Sequence, residues 1–290
     1  MNDPKGALDL IGSPAKSRRV VQRISPWWEK VPRGELVRTN AGDLVMGDAL
    51  ETLVSLAPGV ADIVFLDPPF NLGKGYGRQP KRHDSVPEGE YRSFIQAVLE
   101  QSVTILKPGG SLYLYHLPRW ALEFGAYLQA RLEFVHWIAI SMKNGFVRRN
   151  RLYPAHYALL HFSKGTPASF NRPKVPPLTC PHCGEYVRSY GGYERFVRDG
   201  INLSDVWEDV SPVRHARYKL RNANALPPAI PHRVVEMSGR RRGLLVDPFA
   251  GTGSSLVAAR LHAMRFVGSD SDPEAFAIMS ARLSGSEPKE

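Results

Sequence analysis

The 290-residue sequence predicts an α/β fold whose core is a doubly wound, mostly parallel sheet. Short apolar runs alternate with amphipathic helical stretches as far as about residue 142, and the same alternation returns from residue 243 onward. Between these two parts lies a segment rich in Pro, Gly, Tyr and Arg. We therefore expect one α/β domain that carries a basic and aromatic insertion.

The composition limits the classes to which the protein can belong. Hydrophobic residues make up 43% of the chain, which is enough for a sizeable core. No stretch approaches the roughly 18 apolar residues of a membrane span, and the N-terminus lacks the apolar core of a signal peptide. Two closely spaced cysteines suit a reducing compartment, so we expect a soluble, cytoplasmic protein without a membrane partner. The net charge of +10 favours a nucleic-acid partner.

The first half of the predicted domain follows a basic extension. Residues 1–40 are polar, basic and interrupted by prolines, which indicates an extension without a core of its own. Residues 41–142 then give a strand, a Gly-Asp corner and a helix in DLVMGDALETLVSLA, followed by the buried strand ADIVFLD. A helix from EGEYRSF onward is expected to end at Lys107-Pro108-Gly109-Gly110, before the strand SLYLYH. The helix PRWALEFGAYLQARLE and the strand FVHWIAISM complete this half.

The second half of the domain lies beyond the insertion. Residues 143–221 form the predicted insertion, which includes the strand-like ALLHFSK. Residues 222–290 begin with the Pro-started helix of ALPPAIPHRVVEMSG. A strand, a glycine turn, a helix, a strand and a final helix follow, so this half repeats the α/β alternation.

A glycine turn after the strand at Leu244 to Asp247 predicts a nucleotide-like ligand. Glycines let the backbone approach such a ligand closely. The spacing matches neither the dinucleotide fingerprint nor the triphosphate loop. Asp270, about 20 residues further on at the end of the next strand, stands where an acid would bind ribose hydroxyls. A ribose without a pyrophosphate suggests S-adenosylmethionine, and we expect its site to include Asp247, Phe249, Ala250, Gly251, Thr252, Gly253, Ser254 and Asp270.

The strand in DIVFLDPPFN ends in an acid, two prolines and an aromatic residue, which suits methylation of an aromatic amino group. The lone pair of such a nitrogen is delocalised into the ring, and two acceptors on its N–H bonds would free it for attack. Asp67 supplies one acceptor and the Pro68 carbonyl the other. Pro68 and Pro69 make the turn rigid, and Phe70 offers a face for base stacking. A base in a duplex must first be flipped out.

The two motifs together resemble those of the amino-group DNA methyltransferases of restriction-modification and orphan type. Asp67-Pro68-Pro69-Phe70 corresponds to the catalytic motif of that family, and the sequence from Asp247 to Ser254 corresponds to its cofactor motif. The order of catalytic motif, insertion and cofactor motif is that of the family's β group. The resemblance covers about Gly42 to Leu283 and implies a Rossmann-like methyltransferase fold with S-adenosylmethionine as cofactor.

The resemblance also implies further contacts and a substrate. Asp48 would lie near the adenine of the cofactor, and the segment with Asn224 and Leu226 would cover its methionine end, although the family's usual His-Pro-Thr pattern is absent there. Asp at the first catalytic position, here Asp67, favours N6 of adenine over N4 of cytosine. Cytosine N4, structured RNA, and a non-catalytic DNA-binding subunit on the same scaffold are the alternatives.

The insertion is where the resemblance places target recognition. Its partner would be double-stranded DNA, with phosphate contacts from Arg148, Arg149, Arg151, Lys164, Arg172 and Lys174. Membership of a restriction-modification system would add a cognate restriction endonuclease as a second partner. A homodimer is left open, because Trp27 and Trp28 of the extension suit either a dimer contact or a DNA contact.

Two further features have a plain structural reading beside a functional one. Cys180 and Cys183 have the spacing of half a zinc site, but a tetrahedral site needs four ligands and the chain has no second cysteine pair. An incomplete set of this kind favours the absence of zinc over its presence. His116 follows the strand SLYLYH near the expected site, and we interpret it as a core or surface histidine rather than a catalytic one.

Overall fold

A computed structural model describes residues 25–72, 86–141, 149–150, 152–177, 179–180, 182–186, 198–210 and 226–284. The strands are β1 (Glu35–Arg38), β2 (Gly42–Met46), β3 (Ala61–Leu66), β4 (Leu106–His116), β5 (Glu133–Ser141), β6 (His156–Ser163), β7 (Lys174–Val175), β8 (Ile201–Asn202), β9 (Val206–Trp207), β10 (Leu244–Asp247) and β11 (Arg265–Asp270). The helices are α1 (Ala49–Leu53), α2 (Glu88–Ile105), α3 (Pro118–Gln129), α4 (Ala229–Ser238), α5 (Ser254–Leu261) and α6 (Pro273–Ser284). Within these ranges, no helix combines the length and apolar character that a bilayer crossing requires.

The central sheet confirms the predicted fold class. In the part of the chain that the structure describes, nine strands form one sheet in the order β1-β2-β11-β10-β3-β4-β6-β5-β9. Five consecutive strands in the middle of this order are parallel to one another: β2, β11, β10, β3 and β4. β6 is antiparallel to both β4 and β5, and β1 is antiparallel to β2. The sheet is therefore mixed but mostly parallel.

Helices cover both faces of the sheet, as the buried parallel strands require. Successive residues of β3 point to opposite faces. Val64 and Leu66 pack on the face covered by α1, α2 and α3, whereas Ile63 and Phe65 pack on the face covered by α4, α5 and α6. The two apolar cores lie on either side of β3, whose carboxyl end carries the predicted catalytic motif.

The Lys107-Pro108-Gly109-Gly110 stretch differs from the expectation of a stop between a helix and a strand. Helix α2 ends at Ile105 and β4 begins at the next residue, so the stretch lies within the strand. The pairing of β3 with β4 is irregular there. Gly109 has a φ of +75°, and its N–H donates to the Lys164 carbonyl at 2.7 Å. The stretch therefore forms a bulge within β4, and β4 follows α2 without an intervening loop.

The described part of the N-terminal extension packs on the domain. Trp28 is only 5% exposed, and its indole N–H donates to the buried carboxylate of Asp43 at 2.6 Å. The Trp27 indole donates to the same oxygen at 3.1 Å. β1 then adds an antiparallel edge strand to β2. Both indole groups are therefore occupied within this chain.

Candidate active site

The catalytic and cofactor motifs meet at one edge of the sheet. β3 and β10 are adjacent and parallel, with Ile63 opposite Leu245 and Val64 opposite Val246. Their carboxyl ends therefore lie side by side. From β3 the chain crosses to β4 on one side, and from β10 it crosses to β11 on the other. In open α/β sheets, ligands bind at such a point of strand-order reversal.

The turn after β3 is rigid and closed at its base. Asp67 is half-buried, Pro68 is buried, and the locked φ of each proline leaves few soft angles. Asn71 adopts a φ of +55°, and its side chain bonds both backbone groups of Val86, at 2.9 and 3.0 Å. These two bonds hold Asn71 and Val86 together beside the turn.

Aromatic side chains lie near Asp67. The Phe70 ring centroid lies 5.9 Å from that of Tyr115 on β4 and 5.7 Å from that of Tyr157 on β6. Burial raises the pKa of Tyr115 and that of Tyr157, and the negative charge of Asp67 raises both further. Asp67 thus lies near a wall of three rings, formed by Phe70, Tyr115 and Tyr157, which is suited to holding a flat aromatic group.

A hydrogen-bonded chain lies beneath Phe70. The His116 ring stacks on Phe70 with 4.9 Å between centroids. Its Nε2 is 2.6 Å from the Tyr91 hydroxyl, which in turn donates to the Pro69 carbonyl at 2.6 Å. Burial lowers the pKa of His116 to about 3, so the imidazole is neutral at physiological pH.

The glycine turn is fixed by two carboxylates. Asp270 accepts the Gly251 N–H at 2.8 Å, and the buried Asp247 accepts the Phe249 N–H at 2.9 Å and a bond from the Ser255 hydroxyl. Burial raises the pKa of Asp247 to about 7, a shift that its two hydrogen bonds oppose and the charge of Asp270 reinforces. The sequence alone assigned both acids to the cofactor, and the structure also gives them a role in shaping the turn.

The other predicted cofactor residues lie around the same turn. Gly251 and Gly253 have φ values of +54° and +83°, which residues other than glycine rarely adopt. The Ala250 N–H donates to the Ser269 carbonyl, the Thr252 carbonyl accepts a bond from Arg282, and Ser254 begins α5. The turn is therefore held by several backbone bonds.

Two predicted contacts come from other parts of the chain. Asp48 caps α1 by accepting the Leu50 and Glu51 N–H groups, and the neighbouring Gly47 N–H donates to the Asp270 carbonyl at 3.1 Å. Leu226 is partly buried against the core on the α4 side. Asn224 lies outside the described residues.

The residues at this edge fit an adenosine-containing cofactor. Phe249 and Phe70 are partly buried apolar side chains beside a glycine turn with left-handed backbone, and the Asp270 carboxylate stands at the end of the next strand. The Asp270 carboxylate accepts the Gly251 and Asp272 N–H groups, and a carboxylate at this position in the fold is the type of acceptor that binds ribose hydroxyls. This edge offers an apolar surface and a hydroxyl acceptor.

Those predicted phosphate contacts that the structure describes are not gathered in one place. Arg149 is exposed and lies in the connection between the end of β5 and the start of β6, at the edge of the sheet that carries the site. Arg172 is exposed but follows Asn171, which bonds the Glu236 and Met237 carbonyls at the far end of α4. Lys174 is exposed on β7. Arg148 and Arg151 lie outside the described residues.

Lys164 has a role inside the fold. Its ammonium donates to the Val103 carbonyl at 2.9 Å and the Leu106 carbonyl at 3.0 Å, at the C-terminal end of α2. A positive charge at this end of a helix is favourable. This role inside the fold makes Lys164 a poor candidate for a DNA contact.

The two cysteines lie in a small hairpin. Thr179 bridges Tyr186, the Cys180 N–H donates to the Glu185 carbonyl, and both thiols are free. Among the residues that the structure describes, no group of three or more His, Cys, Asp or Glu side chains could hold a metal ion. Zinc binding at Cys180 and Cys183, which the sequence leaves possible but disfavours, is not shown.

Tyr91, Tyr115 and Tyr157 were not predicted from the sequence as site residues, and His116 was interpreted as a core or surface histidine. The available signal was position: Tyr115 and His116 end β4, and Tyr157 begins β6. Aromatic residues at strand ends on the ligand-binding edge are candidates for the site even without a motif.

Comparisons with known proteins agree with this geometry. Residues 61–281 match the N6_N4_Mtase family model, described as DNA methylase. The chain is similar to the Type II methyltransferase M.BamHI of Bacillus amyloliquefaciens, with 38% identity over 250 residues that cover 86% of this chain and 56% of the relative. It is 28% identical to the Type II methyltransferase M.HpaI of Haemophilus parainfluenzae over 73% of this chain and 64% of that one. The chain therefore spans less than two thirds of both relatives.

Solved structures show the same fold. The cytosine-N4-specific PvuII DNA methyltransferase superposes with a TM-score of 0.62 at 16% identity, covering 90% of this chain and 92% of that one. The M1.HpyAVI–SAM complex superposes with a TM-score of 0.53 at 16% identity, covering 83% and 98%. Together with the family match, these findings show that the chain belongs to the N6/N4 DNA methylase family.

Proposed function

We propose that this protein transfers a methyl group from S-adenosylmethionine to the N6 amino group of adenine in double-stranded DNA. The observation that carries the proposal is the parallel pairing of β3 with β10, because it brings Asp67-Pro68 beside the glycine turn and Asp270. Family membership and the SAM complex of a structural neighbour support the choice of cofactor.

The residues of this chain divide the work between binding and activation. Asp270 and the glycine turn would hold the cofactor, with Phe249 and Leu226 against its apolar parts. When bound, S-adenosylmethionine supplies an electrophilic methyl group on a sulfonium. Phe70, Tyr115 and Tyr157 would hold the flipped base, and stacking on an aromatic face contributes about 1 to 3 kcal/mol per base.

Asp67 and the Pro68 carbonyl activate the amino nitrogen. Each accepts one N–H bond of the target amino group, which favours a tetrahedral nitrogen whose lone pair points at the methyl carbon. The new N–C bond forms as the methyl group leaves sulfur with its bonding electrons remaining on sulfur. The nitrogen then loses one proton, for which the Asp67 carboxylate is the nearest proposed acceptor. This chemistry requires no covalent bond to the enzyme.

Cytosine N4 is the second candidate, because the superposed PvuII enzyme is cytosine-N4-specific. The same pair of acceptors would serve either exocyclic nitrogen. Asp67 at the first position of the motif favours adenine by resemblance. The DNA duplex itself is proposed from the net charge of +10 and from Arg149, Leu152 and Tyr153, which are exposed at the site edge.

Nucleoside analysis tests this proposal. The protein is incubated with radiolabelled S-adenosylmethionine and mixed-sequence duplex DNA, and the DNA is digested to nucleosides. We expect label in N6-methyladenine; label in N4-methylcytosine would refute the base assignment, and no label in DNA would refute the function. Asp67→Asn should lower the rate at least about 100-fold, because one preorganised acceptor is lost. Glu133→Gln, a matched loss of charge on an exposed residue at the amino end of β5, should leave it unchanged.

A further inference from the structure

The directions of the bonds beneath Phe70 can be assigned. The Leu117 N–H donates to His116 Nδ1 at 2.8 Å, so Nδ1 carries the lone pair. A neutral imidazole then has its proton on Nε2, which must donate to the Tyr91 oxygen at 2.6 Å. The Tyr91 hydroxyl proton is left for the Pro69 carbonyl at 2.6 Å. These three bonds therefore share one direction, from His116 through Tyr91 to the Pro69 carbonyl.

This chain of bonds ends on the catalytic turn. The locked φ angles of Pro68 and Pro69 leave their ψ angles as the soft angles between Asp67 and Phe70. A bond to the Pro69 carbonyl restrains the second of these ψ angles. His116 restrains the next residue as well, since its ring stacks on Phe70 with 25° between the ring planes. The turn is held from below at two successive residues.

We infer that Tyr91 and His116 are positioning residues for methyl transfer, which hold the Pro69 carbonyl and the Phe70 ring, and through them the turn that carries the two acceptors, without touching the substrate. This inference rests on the proposed function. An acceptor must point at the amino group before reaction, and small errors in such geometry are costly in rate. The His116 proton and the Tyr91 hydroxyl restrain the turn directly after the Pro68 acceptor, from buried positions on β4 and α2 respectively.

A purely structural role for Tyr91 can be distinguished from a positioning role, because a second buried tyrosine, Tyr113 on β4, serves as a control. The Tyr113 hydroxyl is buried and lies 2.7 Å from the Ser238 hydroxyl at the end of α4. Its bond has a similar length to that of Tyr91 but ends away from the catalytic turn. If the Tyr91 bond served only stability, the loss of either hydroxyl would have the same effect on the rate.

The test compares Tyr91→Phe with Tyr113→Phe by single-turnover methylation of duplex DNA, with melting temperature and S-adenosylmethionine affinity measured beside it. We expect both variants to melt earlier than the wild type. Only Tyr91→Phe should lower the methyl-transfer rate, by about 10-fold, with DNA and cofactor affinities within about twofold of wild type. A rate within about twofold of wild type for Tyr91→Phe, or an equal loss for Tyr113→Phe, would overturn the inference.

Conservative replacement of His116 gives a second readout. His116→Gln keeps a side-chain N–H that can donate to Tyr91, whereas His116→Leu keeps the bulk but no donor. We expect the Gln variant to react at least about fivefold faster than the Leu variant at equal folded fraction. Equal rates would contradict the positioning role. An inactive wild-type protein would instead refute the proposed function, so the two failures are distinguishable.

Discussion

Asp247 belongs to the predicted cofactor motif and also holds the turn that carries this motif. Its carboxylate is 2% exposed and bonds the Phe249 N–H and the Ser255 hydroxyl. Burial raises its pKa from 3.8 to about 7. Between these two values the folded protein keeps the proton and the unfolded chain releases it. Raising the pH through this window therefore destabilises the folded state.

Asp247→Asn should remove this pH dependence. The amide can still accept from the Phe249 N–H, and it carries no charge to desolvate. We expect the free energy of unfolding of the variant, relative to that of the wild type, to rise by about 2 to 3 kcal/mol between pH 5 and pH 8. Urea unfolding at both pH values measures it. A difference between the two proteins that stays constant with pH would contradict the raised pKa.

At the scale of elements, the start of α5 combines a strained backbone with close packing. Gly253 precedes the helix with a φ of +83°. A Cβ at this position would lie 3.0 Å from the Met279 side chain on α6. The glycine therefore allows both the left-handed turn and the close approach of two helices beside the proposed cofactor site.

Gly253→Ala should weaken both stability and cofactor binding. The left-handed conformation costs about 1 to 2 kcal/mol for a residue with a side chain, and the displaced Met279 adds to it. We expect S-adenosylmethionine affinity, measured by calorimetry, to fall at least about threefold because the turn shifts. Gly59→Ala is the matched control: Gly59 has a φ of +65° and no neighbour within 4 Å of the added Cβ. It should lose stability alone, and an equal loss of affinity there would contradict the role of the turn.

At the scale of the whole molecule, the sequence predicted the parallel core and the meeting of two motifs. Parallel strands put their carboxyl ends at one edge, so the turns of β3 and β10 could be placed together from their patterns. The wall of three rings could not be predicted from the sequence, because Tyr115 and Tyr157 approach each other only when β6 inserts antiparallel between β4 and β5. An apolar pattern predicts a strand but not its neighbours.

The pairing of β4 with β6 also places two buried histidines in the sheet. Burial lowers the pKa of His116 and that of His161 to about 3, and the nearby His136 contributes to the shift of His161. Both side chains fold as neutral rings, whereas the unfolded chain takes up protons near the ordinary value of 6.5. The stability they contribute is present above that pH and is lost as the pH falls toward 3.

His161→Gln should therefore make the protein less sensitive to acid. Between pH 4 and pH 6 the unfolded chain binds two more protons at these histidines than the folded protein does, and one fewer at Asp247. The three groups together therefore make the free energy of unfolding fall by about 1.4 kcal/mol for each pH unit of acidification. Removing His161 should cancel most of that slope, because the remaining histidine and Asp247 then balance. Urea unfolding at pH 4, 5 and 6 measures the slope for both proteins. His161 lies on β6 opposite Tyr113, and its Nε2 is 3.1 Å from the Ser111 hydroxyl in the middle of β4 rather than at the carboxyl end that carries the predicted catalytic motif, so the methylation rate at neutral pH should change little. An unchanged slope in the variant would mean that His161 takes up its proton in the folded state as readily as in the unfolded chain.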